Sequence, residues 1–175
     1  MPPAIERLGD FAAAASQGLN WLVERLCALL ALVLVLDVWL GVFVRYVWPL
    51  PLTFTEEAAR YLMIWMALLA VSCGIARREH IGVQLLFDAL PQGMQRALLF
   101  AFDALALAFF GFLLVYGLDM VDRGSRSYTM IFGLTKSLPF AAVPAAAALA
   151  CVQLVLVAIR DQVRFGTDPS RGIVT

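Results

Sequence analysis

Charge, histidine and cysteine are all scarce in this sequence, and each scarcity closes a chemistry. Charged residues make up 15% of the 175-residue chain, against about 25% in soluble globular proteins. That leaves too little polar sequence for a separate soluble domain. A single histidine, His80, cannot supply the paired axial imidazoles of a membrane haem. Cys27, Cys73 and Cys151 are scattered, with neither the spacing of a metal site nor the density of a disulfide framework. Inside apolar segments such thiols behave as small hydrophobes. Neither a phosphate-binding glycine loop nor a nucleophile elbow is present, so no constellation for enzyme chemistry appears and no cofactor is expected on this chain. Formal net charge is zero, which gives nucleic acid nothing to bind.

What the chain has in abundance is apolar sequence, 62% of all residues. It reads as an all-α integral membrane protein, one domain over residues 1–175, with four transmembrane helices plus one or two interfacial amphipathic helices. The expected spans are about 26–48, 55–77, 97–118 and 137–159, each close to the ~20 residues that cross a bilayer. Before them, Ile5, Leu8, Phe11, Ala12 and Ala15 recur at helical spacing, which suits a short interfacial helix over about 4–17. The stretch AAAAS at 12–16 could hold a signal-peptide cleavage site, but no charged region followed by a sustained apolar run precedes it, so the N-terminus is expected to be retained. The Pro49-Leu50-Pro51 linker closes the first span. His80 to Pro91 is apolar but too short to cross, and is expected to lie at the interface. In the fourth span Pro139 falls in the first turn, where proline is tolerated, and Pro144 lies deeper, where it should bend the helix. Its alanines suit close helix packing.

Arginine and lysine divide eight to five between the two sides: Arg7, Arg25, Arg77, Arg78, Arg96, Arg160, Arg164 and Arg171 against Arg45, Arg60, Arg123, Arg126 and Lys136. The positive-inside rule places both termini in the cytoplasm.

Two acids fall inside spans. Asp37, near the middle of the first, costs about 2.5–3.5 kcal/mol on insertion scales and should face protein rather than lipid. It reads either as a proton or cation relay or, preferably, as a hydrogen-bonded carboxyl that fixes helix packing. Asp103, about two turns inside the third span, can snorkel toward water and is read as packing.

The chain is organised around Thr53 to Leu86. Thr53-x-x-Glu56 is a capping-box pattern, and Glu56 and Glu57 occupy the first turn that the helix dipole favours for acids. No charge follows from Tyr61 to Ala76, and Arg77 and Arg78 then complement the C-terminal carbonyls. Arg60 stands i+4 from Glu56 and i+3 from Glu57, so the three residues either satisfy one another at the helix start or reach across to another helix with Arg45. Trp65 lies midway down the span, away from the interfacial belts, and Ala70-x-x-x-Gly74 is a small-residue pattern for close packing. His80, beside Arg78 and Glu79, could titrate near neutrality but reads first as a surface or capping group.

The order Glu56-Glu57, Arg60, Trp65, Gly74, Arg77-Arg78 and His80-Ile81 resembles the small membrane subunit of tripartite ATP-independent periplasmic (TRAP) transporters, the Q or DctQ-type component. Arg45, Leu90-Pro91, the four spans and the length agree, while Gln84 stands where such proteins often have an aspartate. The resemblance implies a non-catalytic subunit of a secondary transporter for organic acids in the bacterial inner membrane. Its implied partners are a large multi-span membrane subunit, which would carry the substrate and sodium sites, and a periplasmic substrate-binding protein. It also implies assembly roles for Arg45, Glu56, Glu57, Arg60, Trp65, Arg77, Arg78 and His80. A different reading from the residues is a dimeric four-helix exporter with Asp37 as the coupling carboxylate.

Overall fold

The computed structural model describes residues 3–47, 54–77, 92–129, 133 and 135–167. They form five helices: α1 (Pro3–Tyr46), α2 (Phe54–Arg77), α3 (Gln92–Ser125), the short α4 (Ser137–Phe140) and α5 (Ala142–Thr167). Four of these segments are long and apolar enough to cross a membrane. The all-α, four-span architecture expected from composition is therefore what the chain adopts. Thr53 and the segment 78–91, which includes the expected interfacial helix, lie outside the described residues.

One expectation is corrected. Residues 4–17 do not form a separate helix, because α1 continues unbroken from Pro3 through the first span. Its 44 residues reach about 66 Å, twice a ~30 Å hydrocarbon core. Tertiary contact explains the continuity. A Cβ on Gly9 would lie 2.7 Å from Val163 Cγ1, and buried Ser16 is bonded to Gln153. The first third of α1 thus runs antiparallel along the end of α5, and that contact outweighs the polar residues that interrupt the apolar run.

Helix α5 is the most enclosed of the four. It lies against α1 and α2, which pair with each other, and α3 packs on it from another side. Its small residues make this possible: Ala142, Ala146, Ala147 and Ala150 are all buried. Ile75 of α2 meets Ala150 and Leu154, with Ala106 and Phe110 of α3 closing the cluster. Gly117 lets α3 come close, since a Cβ there would lie 3.1 Å from Pro144 Cδ. The bend expected at Pro144 appears as the break between α4 and α5 at Ala141. Pro144 has no N–H to offer the carbonyl of Phe140, one turn earlier. The Ala145 N–H still reaches the Ala141 oxygen at 3.1 Å, so the chain changes direction without leaving the helical region.

Candidate docking face and polar junction

Helices α1 and α2 form an antiparallel pair tied at three levels. At one end Gly41 and Thr55 nearly touch, a Cβ on Gly41 falling 3.3 Å from Thr55 Oγ1. Midway, Cys27 Sγ donates to the Met66 carbonyl at 3.8 Å. At the other end Arg77 pairs with Glu24, whose Oε1 also accepts from Asn20 Nδ2 at 2.9 Å. Trp21 stands there with the Arg25 guanidinium 5.2 Å from its ring, a cation–π contact suited to the water–lipid boundary.

This register gathers four of the eight assembly residues singled out in the sequence at one end of the pair. Arg45 lies one turn beyond Gly41 on α1, at the same end as Glu56, Glu57 and Arg60 on α2. Proximity does not make them a self-contained network. Glu57 is buried and accepts the Tyr61 hydroxyl at 2.5 Å. Arg45, Glu56 and Arg60 are exposed, and among the described residues none of the three enters an ion pair. The i,i+4 pairing of Glu56 with Arg60 allowed by the spacing is not made. Pairs of that kind do form elsewhere, Arg123 with Asp119 at 2.6 Å and Arg126 with Asp122 at 3.6 Å.

The exposed side of α2 has a definite composition. Glu56, Arg60, Met63, Ala67 and Ala70 are exposed, and at steps of three and four residues they trace one stripe. Gly74 continues it, with open space where a Cβ would be. Among the described residues the small-residue pair Ala70 and Gly74 is therefore not covered by another helix. Trp65 is half-buried and lies on the opposite side, in line with buried Leu69 and Ser72. Arg77 is committed to Glu24, while Arg78 and His80 lie outside the described residues.

Both intramembrane acids are half-buried. Asp37 turns one shielded oxygen, Oδ2, inward without a hydrogen-bond partner, and Asp103 sits on α3, apart from it. Sequence reasoning missed Ser16, Glu24 and Gln153, which join helices, as well as Asn20 beside Glu24 and the buried Ser72. The available signal was Gln153, an amide in an otherwise apolar span, where a polar group needs a protein partner.

The DctQ component of the tripartite ATP-independent periplasmic transporters matches residues 34–164, which include the last part of α1, all of α2 and α3, and most of α5. The chain belongs to the DctQ family. It is similar to a TRAP transporter small permease protein of Haemophilus influenzae, 37% identical over 90 residues, covering 51% of this chain and 55% of the relative. It is also similar to the sialic acid TRAP transporter small permease protein SiaQ of Vibrio cholerae, 25% identical over 87 residues and 50% of each chain. A third relative is the isethionate TRAP transporter permease protein DctMQ of Oleidesulfovibrio alaskensis, 35% identical over 68 residues, 39% of this chain and 11% of that one. The chain spans about half the length of the two small permease relatives. With family membership, the multi-pass membrane character read from composition stands.

Proposed function

We propose that this DctQ-family chain is a non-catalytic scaffold in a TRAP-type transporter that takes up organic acids. In this reading it holds a large membrane subunit and helps a periplasmic binding protein dock. The observation that carries the proposal is the stripe on α2: two exposed charges at one end, leading into small residues, with no ion pair to those charges and no cover over those residues among the described residues. Small residues let another helix approach closely, and polar side chains at the end of such a contact fix its register. The DctMQ relative supports a large partner, because the matching segment is a small part of a far longer permease chain. Two relatives are named for sialic acid and isethionate, both organic acids, which supports that substrate class. Sodium coupling and the substrate site belong to the large subunit, and this chain binds no cofactor of its own. A rigid scaffold of this kind suits a partner that moves its binding element across the membrane. In mild detergent the chain should copurify with a much larger membrane subunit, and recovery only as a free monomer or dimer would count against the proposal.

The proposed setting is the bacterial inner membrane, with both termini cytoplasmic, on the strength of the eight-to-five division of positive charge. In a background lacking Cys27, Cys73 and Cys151, single cysteines near Arg7 and Gly172 should resist a membrane-impermeant reagent applied from the periplasm. One at Ser125, exposed at the end of α3, should react. Periplasmic labelling of both termini would overturn this orientation.

The unpartnered Oδ2 of Asp37 favours a second reading, the dimeric exporter with a coupling carboxylate. The two separate at one substitution. If Asp37 serves packing, Asp37→Asn keeps a hydrogen-bonding group without charge and should cost the assembled complex less than about fivefold in uptake, about 1 kcal/mol. Complete loss of uptake with normal assembly would instead support a relay.

A further inference from the structure

The buried polar groups near the α1–α2–α5 contact do not satisfy one another. Gln153 is fully buried, Ser16 is 2% exposed and Ser72 is 1% exposed. Gln153 donates through Nε2 to Ser16 Oγ at 2.5 Å and approaches the Ser16 carbonyl at 3.4 Å. Among the described residues its Oε1 has no partner, and neither have Ser72 Oγ and the shielded Oδ1 of Asn20. These are three oxygens, one from each of three helices.

Contacts between the helices set their relative heights. Gly9 against Val163 and Ser16 against Gln153 make α1 and α5 antiparallel, so Asn20, one turn past Ser16, stands near the level of Leu149 and Ala150. Ile75 against Ala150 and Leu154 fixes α2 on α5. Ser72, one turn before Ile75, reaches the same level. Gln153 is one turn further along α5, within the span of its own side chain.

We propose that this junction is a water-binding site. The three groups match a water molecule chemically: it donates to the two amide oxygens, Asn20 Oδ1 and Gln153 Oε1, and accepts the Ser72 hydroxyl proton. Left dry, each buried group would keep its desolvation cost, whereas a water with three polar partners resolves all of them at once. The water joins α1 to α2 and α5 where the Ser16–Gln153 bond alone joins only two helices. It thereby completes the attachment of the first third of α1 to the rest of the bundle.

Two measurements test the site on the full chain in its native complex. A structure at a resolution that shows ordered water should place density within hydrogen-bond distance of Gln153 Oε1 and Ser72 Oγ. A dry junction, with Ser72 bonded to a carbonyl of its own helix and Gln153 Oε1 bonded to protein, would overturn the proposal. The second measurement is a melting cycle of Ser72→Ala with Gln153→Met. Each single change should lower the melting temperature by about 2–4 °C or more. The double variant should melt no lower than Gln153→Met alone, because the water is already lost; the Ser16 bond is absent from both Gln153 variants and cancels. Strictly additive shifts would show that no shared water links the two. If Gln153→Met does not assemble, the density alone decides.

Discussion

Reconstituted alone in liposomes, the chain is expected to neither bind nor move an organic acid under a sodium or proton gradient, giving flux indistinguishable from empty vesicles. A transport site near the bilayer midplane needs convergent polar groups, commonly on helices broken at that depth so that helix ends face the substrate. Here α1, α2 and α3 are continuous, and the one break within a span among the described residues, at Ala141, lies near the start of the fourth span. The cations that could meet an acid, Arg45 and Arg60 at one end and Arg77 at the other, stand near the ends of their helices, and Arg77 is already paired with Glu24. Asp37 carries the wrong sign for an anionic substrate. Adding the large membrane subunit and the binding protein should restore uptake from nothing to the rate of the intact system. Flux from this chain alone, at a rate comparable to the complex, would end the scaffold reading and revive the exporter.

The all-α, four-span class was legible in the sequence because it follows from one-dimensional signals: apolar length, prolines at 49, 51 and 144, and charge at the ends. The continuity of α1 was not. Asp10, Gln17, Gly18, Asn20 and Glu24 break the apolar run, and what keeps the helix going is its pairing with α5 through Gly9 and Ser16. Such pairing is a relation between residues more than 130 positions apart, which periodicity within one segment does not contain. The same limit applies to Arg77, whose position at a helix end suggested capping while its partner Glu24 sits on another helix. The spacing of Glu56 and Arg60 misled in the opposite direction. It permits an ion pair on the helix surface, yet exposed pairs of this kind gain so little that the side chains stay apart.

Reversing charge at the Arg45 and Arg60 end of the α1–α2 pair is expected to separate function from folding. Arg60 is exposed and, among the described residues, has no ion pair to lose, so Arg60→Glu should leave the abundance and melting of the isolated chain close to wild type, as surface substitutions usually do. Arg45→Glu should behave in the same way. In the complex the consequence differs if these cations face an acidic or hydrogen-bonding group on the large subunit or on the docked binding protein. A charged hydrogen bond replaced by a like-charge contact should weaken that association about tenfold or more, with uptake falling accordingly. Raising the binding-protein concentration then distinguishes the two partners. Recovery of uptake at high binding protein would assign the contact to docking, and persistent loss together with reduced copurification would assign it to the large subunit. Arg77→Glu makes the internal comparison, because it breaks the Glu24 pair and places two acids together at the other end of α1 and α2. That variant should lose abundance and uptake in parallel. Parallel losses for Arg45→Glu and Arg60→Glu as well would show that this charged cluster serves only to fold the chain.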